Sequence, residues 1–514
     1  MKAFAAPIDD ILFSLNHVAR AGVLPQWDGD VAAQIGQHFA GFAEAEIAPL
    51  NASGDQQGCR LVDGRVKTPD GFADVYARLA DQGWCGLTAP EKFGGQGMGP
   101  LMSAITSEIF AGANQGLQMM CVLVPGAIRT ILRFGTADQQ ARYIPPLASG
   151  ETMATMCLTE PGAGSDLSRV RCKATPAGTG WEISGEKIFI SGGDQDLSAQ
   201  IVHLVLARTS DQGIKGLSLF LCPSTQKDGR RNSVGVTRIE QKMGLHASPT
   251  CQLIFENAEA ELIGEAGQGL AAMFTMMNKA RIETALQGVA HAARAYDIAS
   301  TYAAQRVQGR GRDGVAVTLD QHADVRRMLA QIDGFALTSR AIAHIALVTL
   351  EAGENPDLVE FLTPIAKVYC SQAGIDAVDL GIQVLGGCGY LREYRLEQSY
   401  RDVRVTAIYE GANGIHQRAL ATRLLQGAPG AAFEDFVASE GGIFPDAPIK
   451  TRLAQWRQAR HAVLCSDDPA ALAEEFWQAS IAALLACVWA RLKSAARHHP
   501  NAARITALCD ADKY

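Results

Sequence analysis

The chain has 514 residues, of which 47% are hydrophobic and 19% are charged, and a chain of this length forms about three packed domains. Its 51 glycines and 20 prolines are spread along the sequence, which excludes a collagen-like or disordered chain. The net charge of −8 argues against a nucleic-acid-binding surface as the main function.

The 12 cysteines form no CxxC pair and no His/Cys cluster with zinc spacing, so we expect reduced thiols and no metal site. The N-terminal sequence MKAFAAPIDDILFSL reaches a proline and two aspartates before any apolar stretch of signal length, which predicts no secretory signal. The longest apolar run, IAALLACVWA at 481–490, is about half as long as a membrane span. These features predict a soluble, cytoplasmic protein without a membrane partner.

Helical and strand-like patterns follow one another along the chain in four blocks. Apolar residues recur at helical spacing in 31–50 and 101–120, on either side of a glycine-rich loop at 89–100. Short runs rich in Ile, Val, Phe and Leu, such as IVHLVLARTS, are typical of strands, and long helical patterns return after them. The predicted domains are an N-terminal α-helical domain (1–150), a middle β domain (151–265), a C-terminal four-helix-bundle domain (266–425) and a helical C-terminal extension (426–514).

The first motif, CLTEPGAGSDLS (157–168), opens the β block with an apolar strand and then turns at a proline and two glycines. Such a turn exposes backbone N–H groups, and Thr159 and Ser165 add hydroxyls, which together suit a polar or anionic ligand. A glycine-rich β-turn with no ligand explains the same residues about equally well.

The second motif, EKIFISGG (186–193), places Phe189 and Ser191 two residues apart on a predicted strand. Because side chains alternate along a strand, both residues point to the same face, where a ring can stack and a hydroxyl can reach the edge of that ring. Ordinary strand packing is the more common explanation of such a pair.

The third motif, QVLGGCG (383–389), has paired glycines at the end of a helical pattern. Paired glycines there are usually a C-cap and turn, although they also let the backbone approach a phosphate closely.

The fourth motif, AIYEGANGIHQR (407–418), sets a single carboxylate, Glu410, among apolar and small residues. Desolvation raises the pKa of such a carboxylate, so that it can act as a base near neutral pH. The alternative is an acid at a helix N-terminus, which is the commoner role of a lone glutamate.

These four motifs, in this order and with a β block between two helical blocks, resemble the acyl-CoA dehydrogenase family of flavoproteins over residues 35–425. The resemblance implies an α+β multidomain fold, with an N-terminal helical bundle, a middle β-barrel-like domain and a C-terminal helical bundle followed by a helical extension. The N-terminal APIDDILFSL and the extra C-terminal segment resemble the larger subgroup of that family, which includes the 3-methylthiopropionyl-CoA dehydrogenases.

The resemblance implies an oxidoreductase that converts an acyl-CoA thioester to the trans-2-enoyl-CoA. Glu410 matches the base that removes the α-proton, with N5 of the flavin as acceptor of the β-hydride. Some members carry the base one residue before the arginine matched by Arg281, but that residue is Ala280 here. Glu283 lies three residues further along the predicted helix and is expected to point elsewhere.

The resemblance also implies the residues that bind FAD and substrate. The matched FAD-binding residues are Leu158, Thr159, Ser165, Phe189, Ser191, Arg306, Gln383, Gly386 and Gly387. The matched substrate-binding residues are Ser165, Asn278, Arg281, Tyr409 and Gly411. The implied partners are an acyl-CoA with a short or modest chain, an electron-transferring flavoprotein as acceptor, and further copies of this chain in a homodimer or homotetramer.

Two alternatives stay open at this point. An acyl-CoA oxidase shares the fold but passes its electrons to O₂. A non-catalytic, flavin-bearing DNA-binding or scaffold protein needs a basic C-terminal surface, whereas residues 430–514 hold nine Lys/Arg against ten Asp/Glu.

Overall fold

A computed structural model of the chain describes residues 3–510. The helices are α1 Ile8–Phe13, α2 Gly29–Phe42, α3 Leu50–Gln57, α4 Phe72–Asp81, α5 Pro100–Cys121, α6 Val124–Phe134, α7 Ala137–Ser149, α8 Gly269–Gln305, α9 Ala323–Ala352, α10 Pro356–Leu385, α11 Leu396–Val403, α12 Asn413–Ala419, α13 Ala428–Ile443, α14 Ile449–Leu464, α15 Ala473–Ala495 and α16 Ala502–Cys509. The strands are β1 Arg60–Val62, β2 Arg65–Lys67, β3 Thr152–Cys157, β4 Lys173–Ala177, β5 Gly180–Ser191, β6 Gln200–Arg208, β7 Leu217–Pro223, β8 Val234–Ile239, β9 Thr250–Ile263, β10 Val307–Arg310 and β11 Ala316–Thr318.

The chain divides into two compact units, neither of which is continuous in sequence. The helical unit contains the described residues of Met1–Glu44, Pro100–Ala113 and Arg281–Tyr514, and the sheet unit contains Ala45–Gly99 and Asn114–Ala280. The predicted boundaries at residues 150, 265 and 425 follow changes of secondary structure, and they stay predictions as domain boundaries. For the predicted four-helix bundle at 266–425, the structure has three long helices, α8, α9 and α10, followed by the short helices α11 and α12.

The sheet of the sheet unit closes on itself. β6 pairs with β7, β7 with β9, β9 with β5 and β5 with β4, all antiparallel, and β4 returns to β6 through one parallel pair. β3 adds to β6 in parallel, and β8 adds to β9. Closure pairs β4, β5, β6, β7 and β9 on both sides, and the apolar residues of β6 and β7 are buried. The predicted barrel-like middle domain is therefore confirmed.

The helical unit contains three long helices, and the start and end of the third, α10, follow from its sequence. α10 begins at the N-cap Asn355, whose side chain accepts a hydrogen bond from the Leu358 N–H, and it has Pro356 at its first position. Both residues are typical of helix starts. The helix then runs for 30 residues to Gly386, whose φ of +60° ends it. One helix thus carries residues from the core of the unit to its surface.

The C-terminal extension packs on α10 through aromatic rings. Phe361 of α10 stacks on Phe433, with ring centroids 4.6 Å apart, and Trp456 lies between Phe433 and Phe476. The indole N–H of the fully buried Trp456 donates to the Ser480 hydroxyl. Because these rings are buried together, the extension is part of the core of the helical unit.

Within residues 3–510, two helices, Ala323–Ala352 and Pro469–His498, are long and apolar enough to span a membrane by length and composition alone. The bent pair Pro100–Cys121 and Val124–Phe134 would make a third span if it is counted as one. The first two helices pack much of their surface inside the protein, and each carries a buried arginine that pairs with a carboxylate. Arg340 of α9 pairs with Glu108, and Arg491 of α15 pairs with Glu440. Much of the apolar surface of both helices is therefore packed in the protein core.

Buried ion pairs connect the two ends of the chain to the bundle. Arg504 of α16 donates to Asp10 of α1 and to Asp333 of α9, and Arg340 lies 3.6 Å from Asp10. Arg340 is fully buried and makes a forked pair with Glu108, with N–O distances of 2.7 and 2.9 Å. Such pairs are strong only while both partners are present, since a lone charge in the core is unsolvated.

Replacement of Glu108 by leucine should therefore lower the free energy of unfolding by about 3–5 kcal/mol, because it leaves Arg340 buried without its forked partner. The matched control is Glu360→Leu, which removes the exposed pair with Arg423 and should cost at most about 1 kcal/mol. Denaturant unfolding followed by circular dichroism measures both. Equal losses in the two variants would contradict the importance of the buried pair.

Candidate active site

Glu410 lies in an irregular loop of the helical unit, between a 3₁₀ turn at Arg404–Ala407 and α12. Its backbone φ is +54°, and that of Gly411 is +90°. A left-handed conformation is free of strain for glycine, but it costs a residue with a side chain on the order of 1–3 kcal/mol. Such strain persists only where surrounding contacts hold the backbone, and it is concentrated at functional sites.

Glu410 is not a helix cap. The N-cap of α12 is Ala412, two residues further along, and the helix begins at Asn413. The common structural explanation of a lone glutamate near a helix start therefore does not apply to this residue.

Two side chains hold the loop around Glu410. The Nε2–H of His416 donates to the Glu410 carbonyl at 2.9 Å. The Nζ of Lys367, from α10, donates to the Gly411 carbonyl at 2.7 Å and to Oδ1 of Asn413 at 2.9 Å. Gly411 leaves no room for a side chain, since a Cβ there would lie 2.7 Å from Nε2 of His416.

The electrostatics of the site suit a base that works near neutral pH. Burial raises the pKa of Glu410 to about 7, and the positive charges of Arg281 and Lys367 oppose that rise. Burial also lowers the pKa of Lys367 to about 7 and that of His416 to about 4. His416 is therefore neutral at pH 7, in the tautomer that carries its proton on Nε2.

The residues predicted to surround Glu410 fall into two groups. Arg281, Tyr409 and Gly411 belong with Glu410 to the helical unit, and the Tyr409 hydroxyl donates to Oε1 of Gln287 in α8. Asn278 also lies in α8, in the stretch that belongs to the sheet unit.

Glu283, the other acid of this region, is buried and accepts a hydrogen bond from the Ser107 hydroxyl. Its carboxylate is thus engaged with α5, in agreement with the expectation that it points elsewhere.

In the sheet unit, the first two motifs lie side by side. The Ile188 N–H donates to the Thr159 carbonyl at 2.9 Å. Lys187, fully buried, donates to the Leu158 carbonyl at 2.9 Å and to Glu160 at 2.8 Å. These contacts bring the end of β3 against β5.

Phe189 projects outward from a bulge in β5. The register with β9 shifts between Lys187 and Ile190, and Phe189 has a φ of +59° and is 60% exposed. Beyond the bulge, Ile190 is buried while Ser191 is partly exposed. Because the bulge interrupts the alternation of side chains, the shared face of Phe189 and Ser191 stays a prediction. A bulge is a common way for a strand to re-aim a side chain beside a site.

This part of the sheet unit fits a planar ring with polar edges. Phe189 offers an exposed aromatic face, and the Leu158–Thr159 backbone ends a strand beside it. Side chains added at Gly162 or Gly164 would meet nothing within 4 Å, so the turn that carries Ser165 is open to a ligand. The FAD-binding role of these residues stays a prediction, and the structure brings the Leu158–Thr159 backbone against the strand that carries Phe189 and Ser191.

The other predicted FAD-binding residues form an exposed patch on the helical unit. Gln383, Gly386 and Gly387 are exposed at the end of α10, and nothing lies within 4 Å of a Cβ built at either glycine. Arg306 lies near this patch. The pKa of Cys388, in the third motif, is lowered chiefly by a hydrogen bond with Tyr302, and the positive charge of Arg306 contributes to the same lowering. The third motif and Arg306 are thus brought together.

Sequence reasoning missed Lys367, His416 and Gln287. Lys367 did carry a signal, because it is the only charged residue in the apolar run FLTPIAKVYC at 361–370. His416 lies inside the fourth motif, six residues after Glu410, but its target is a backbone carbonyl that no side-chain pattern reveals.

Models of three domains of one family match the chain in order. They are the acyl-CoA dehydrogenase N-terminal domain at residues 30–151, the middle domain at 155–258 and the C-terminal domain at 267–425. The chain belongs to the acyl-CoA dehydrogenase family. It is therefore an oxidoreductase of a family of FAD-binding flavoproteins, as its motifs predicted.

Relatives in this family share most of this chain's length with it. The chain is 38% identical over 485 residues to the 3-methylmercaptopropionyl-CoA dehydrogenase of Ruegeria pomeroyi, a match that covers 88% of this chain and 82% of the relative. It is 30% identical over 456 residues to the broad-specificity linear acyl-CoA dehydrogenase FadE5 of Mycobacterium tuberculosis, covering 81% and 74%.

Solved structures with this fold differ in how much of the chain they cover. Butyryl-CoA dehydrogenase from Megasphaera elsdenii superposes with a TM-score of 0.69 at 24% identity, covering 78% of this chain and 100% of its own. Caenorhabditis elegans ACDH-11, solved with C11-CoA, superposes with a TM-score of 0.80 at 20% identity, covering 99% and 91%. The C-terminal extension, which lies beyond the three family domains, thus has a structural counterpart in the second fold.

Replacement of Gly411 by alanine should lower dehydrogenase activity at least tenfold. The added Cβ would collide with His416 and shift the loop that carries Glu410, the proposed base. A small displacement of a reacting group has an effect of this order. Gly414→Ala is the matched control, since the Cβ there meets only Oε1 of Gln417 at 3.9 Å. Steady-state kinetics at equal flavin content compares them, and equal activity in both variants would count against a rigid Glu410 loop.

Proposed function

We propose that this protein is an FAD-dependent acyl-CoA dehydrogenase in which Glu410 is the base that removes the α-proton of the thioester substrate. The single observation that carries the proposal is a carboxylate with a pKa of about 7 in a strained loop, faced by Arg281 and Lys367. A base is most effective when its pKa is near the working pH, because it is then both deprotonated and strong enough to accept a proton.

The α-carbon of a saturated thioester is a weak acid, so the base must be strong and the developing negative charge on the thioester oxygen must be stabilised. Desolvation supplies the first requirement, because burial weakens the stabilisation of the Glu410 carboxylate by water and raises its pKa. We assign the second to the backbone N–H of Glu410, whose neighbour Gly411 has no side chain to block the approach of a carbonyl. Bound FAD supplies the hydride acceptor for the β-carbon.

The residues that would hold FAD are those of the two exposed sets. Leu158 and Thr159 would meet the polar edge of the ring system, Phe189 and Ser191 its face and edge, and Ser165 the pyrophosphate or the CoA. The exposure of Ser165 and Phe189, the partial exposure of Thr159 and Ser191, and the hydrogen bond that joins the first two motifs support this assignment.

The second set lies on the helical unit, where Arg306, Gln383, Gly386 and Gly387 are exposed. We assign these residues to the adenosine and pyrophosphate end of the FAD of a neighbouring copy. This assignment implies a homodimer or homotetramer.

We propose an acyl-CoA of short or modest length as substrate and an electron-transferring flavoprotein as acceptor. The names of relatives support the substrate class: one is a 3-methylmercaptopropionyl-CoA dehydrogenase, and another, 32% identical over 426 residues, is a butyryl-CoA dehydrogenase of Syntrophomonas wolfei. A structural neighbour at 25% identity and a TM-score of 0.69 comes from work on the electron transferring flavoprotein of Acidaminococcus fermentans.

Replacement of Glu410 by glutamine should lower kcat with butyryl-CoA and a dye acceptor by about 10²–10⁴-fold, because the amide cannot accept the α-proton. FAD content, read from the flavin absorbance, should not change. Glu283→Gln is the control, since it alters the other acid of this region and should keep most of the activity. Full turnover by the Glu410→Gln variant would refute the role of Glu410.

The pH dependence of kcat/KM should show an acidic limb near pH 7. Burial raises the pKa of Glu410 to about 7, so the carboxylate is protonated below that pH and kcat/KM should fall about tenfold for each further unit. Initial rates between pH 5.5 and 9 measure the limb. A limb near pH 4.5, the ordinary range of a glutamate, would show that the base is not desolvated.

A further inference from the structure

Lys367 is an unusual residue for the middle of a core helix. Its side chain is fully buried, and α10 surrounds it with Ile365, Ala366 and Val368, which are also buried. Burial of an amine in an apolar region costs free energy unless partners compensate it. A lysine at such a place is therefore explained by what its amine contacts.

The amine of Lys367 contacts the backbone that follows Glu410. It donates to the Gly411 carbonyl at 2.7 Å and to Oδ1 of Asn413 at 2.9 Å. Asn413 is the first residue of α12, and its side chain also donates to the Ser371 hydroxyl of α10 at 3.2 Å. Lys367 thus connects α10 to the residue after Glu410 and to the start of the next helix.

His416 holds the same loop from the other side. Its ring donates to the carbonyl of Glu410 itself, at 2.9 Å. The peptide groups on both sides of the Gly411 α-carbon therefore have a fixed partner, one from α12 and one from α10. This accounts for a left-handed φ at Glu410, which a residue with a side chain keeps only under such constraint.

We propose that Lys367 is a positioning residue for the catalytic base, which fixes the strained backbone at Glu410 through the Gly411 carbonyl and stabilises the ionised carboxylate with its charge. The inference rests on the proposed role of Glu410 as base and deepens it.

The charges that face Glu410 come from several elements. Arg281 of α8 and Lys367 of α10 favour the ionised carboxylate. His416 of α12 is neutral at pH 7, and Arg423 acts on Arg281. Removal of the Lys367 charge therefore leaves Arg281 as the remaining positive charge, and the carboxylate should take up a proton at higher pH.

The test compares three substitutions of Lys367 in the full-length, FAD-loaded enzyme. Lys367→Met removes both charge and donors, Lys367→Gln keeps a donor without the charge, and Lys367→Arg keeps both. The acidic limb of kcat/KM should move upward by about one pH unit in the Met and Gln variants and should stay near its wild-type position in the Arg variant.

We also expect kcat to fall at least tenfold in Lys367→Met and by less in Lys367→Gln, because the amide still donates to the Gly411 carbonyl. The matched control is Thr363→Val, one turn earlier in α10, which removes a hydroxyl that donates only to the Val359 carbonyl. Its limb and its kcat should stay at wild-type values.

A crystal structure of Lys367→Met supplies a measurement that does not depend on turnover, since the φ of residue 410 should leave the left-handed region. An unmoved acidic limb together with an unchanged loop would overturn the inference, even if the variants were less stable or bound less FAD. If Lys367→Met does not fold, the limbs of the Gln and Arg variants decide.

The two proposals fail in different ways. If wild type shows no acyl-CoA-dependent dye reduction, or if Glu410→Gln keeps it, the proposed function is wrong, and the φ of residue 410 in Lys367→Met still decides whether Lys367 holds the loop. If Glu410→Gln is inactive but the Lys367 variants keep the wild-type limb and loop, only the role of Lys367 is wrong.

Discussion

The burial of the Glu410 carboxylate beside two basic side chains, Arg281 and Lys367, is the constraint on which the proposed chemistry of the helical unit depends. Removal of water from Glu410 raises its pKa to about 7, and Arg281 and Lys367 keep it from rising further. Either influence alone would give a worse base: a solvated glutamate is too weakly basic, and a fully isolated one would stay protonated at neutral pH. The pKa of Glu410 is thus set by a balance between desolvation and charge. The two charges come from different helices, Arg281 from α8 and Lys367 from α10.

That balance requires a rigid backbone, because the effect of a charge changes steeply with distance at short range. The strained φ of Glu410 is maintained by contacts to its own carbonyl and to the next one, from His416 and Lys367. α10 serves two functions here. Its middle carries Lys367, and its C-terminal end presents Gly386 and Gly387 at the surface. Buried ion pairs and the aromatic cluster around Trp456 fix α9 and α10 against the chain termini, which gives the site a stable support.

The candidate FAD-binding surface of the sheet unit has a different structural basis. A closed sheet leaves few unpaired backbone groups at its edges. A ligand can contact such groups where the regular strand pairing is interrupted. The interruption lies at the bulge of β5, where Phe189 is turned outward and the end of β3 is held by the buried Lys187. Membership of the acyl-CoA dehydrogenase family, which the three domain matches establish, agrees with a flavin-binding surface of this kind.

The sequence by itself determined the order of helices and strands, the family, and Glu410 as the candidate base, because these depend on local periodicity and on short motifs. The strand-like runs by themselves predicted an all-β block, and the resemblance to the family added that its sheet is barrel-like. Only the tertiary structure revealed the roles of Lys367 and His416. A lone charge in an apolar run marks Lys367 as unusual, but the Gly411 and Glu410 carbonyls that the two side chains contact are backbone groups, which no side-chain pattern identifies. The bulge at Phe189 and the two discontinuous units were likewise decided by strand register and by packing between distant segments, which are long-range properties that no local pattern contains.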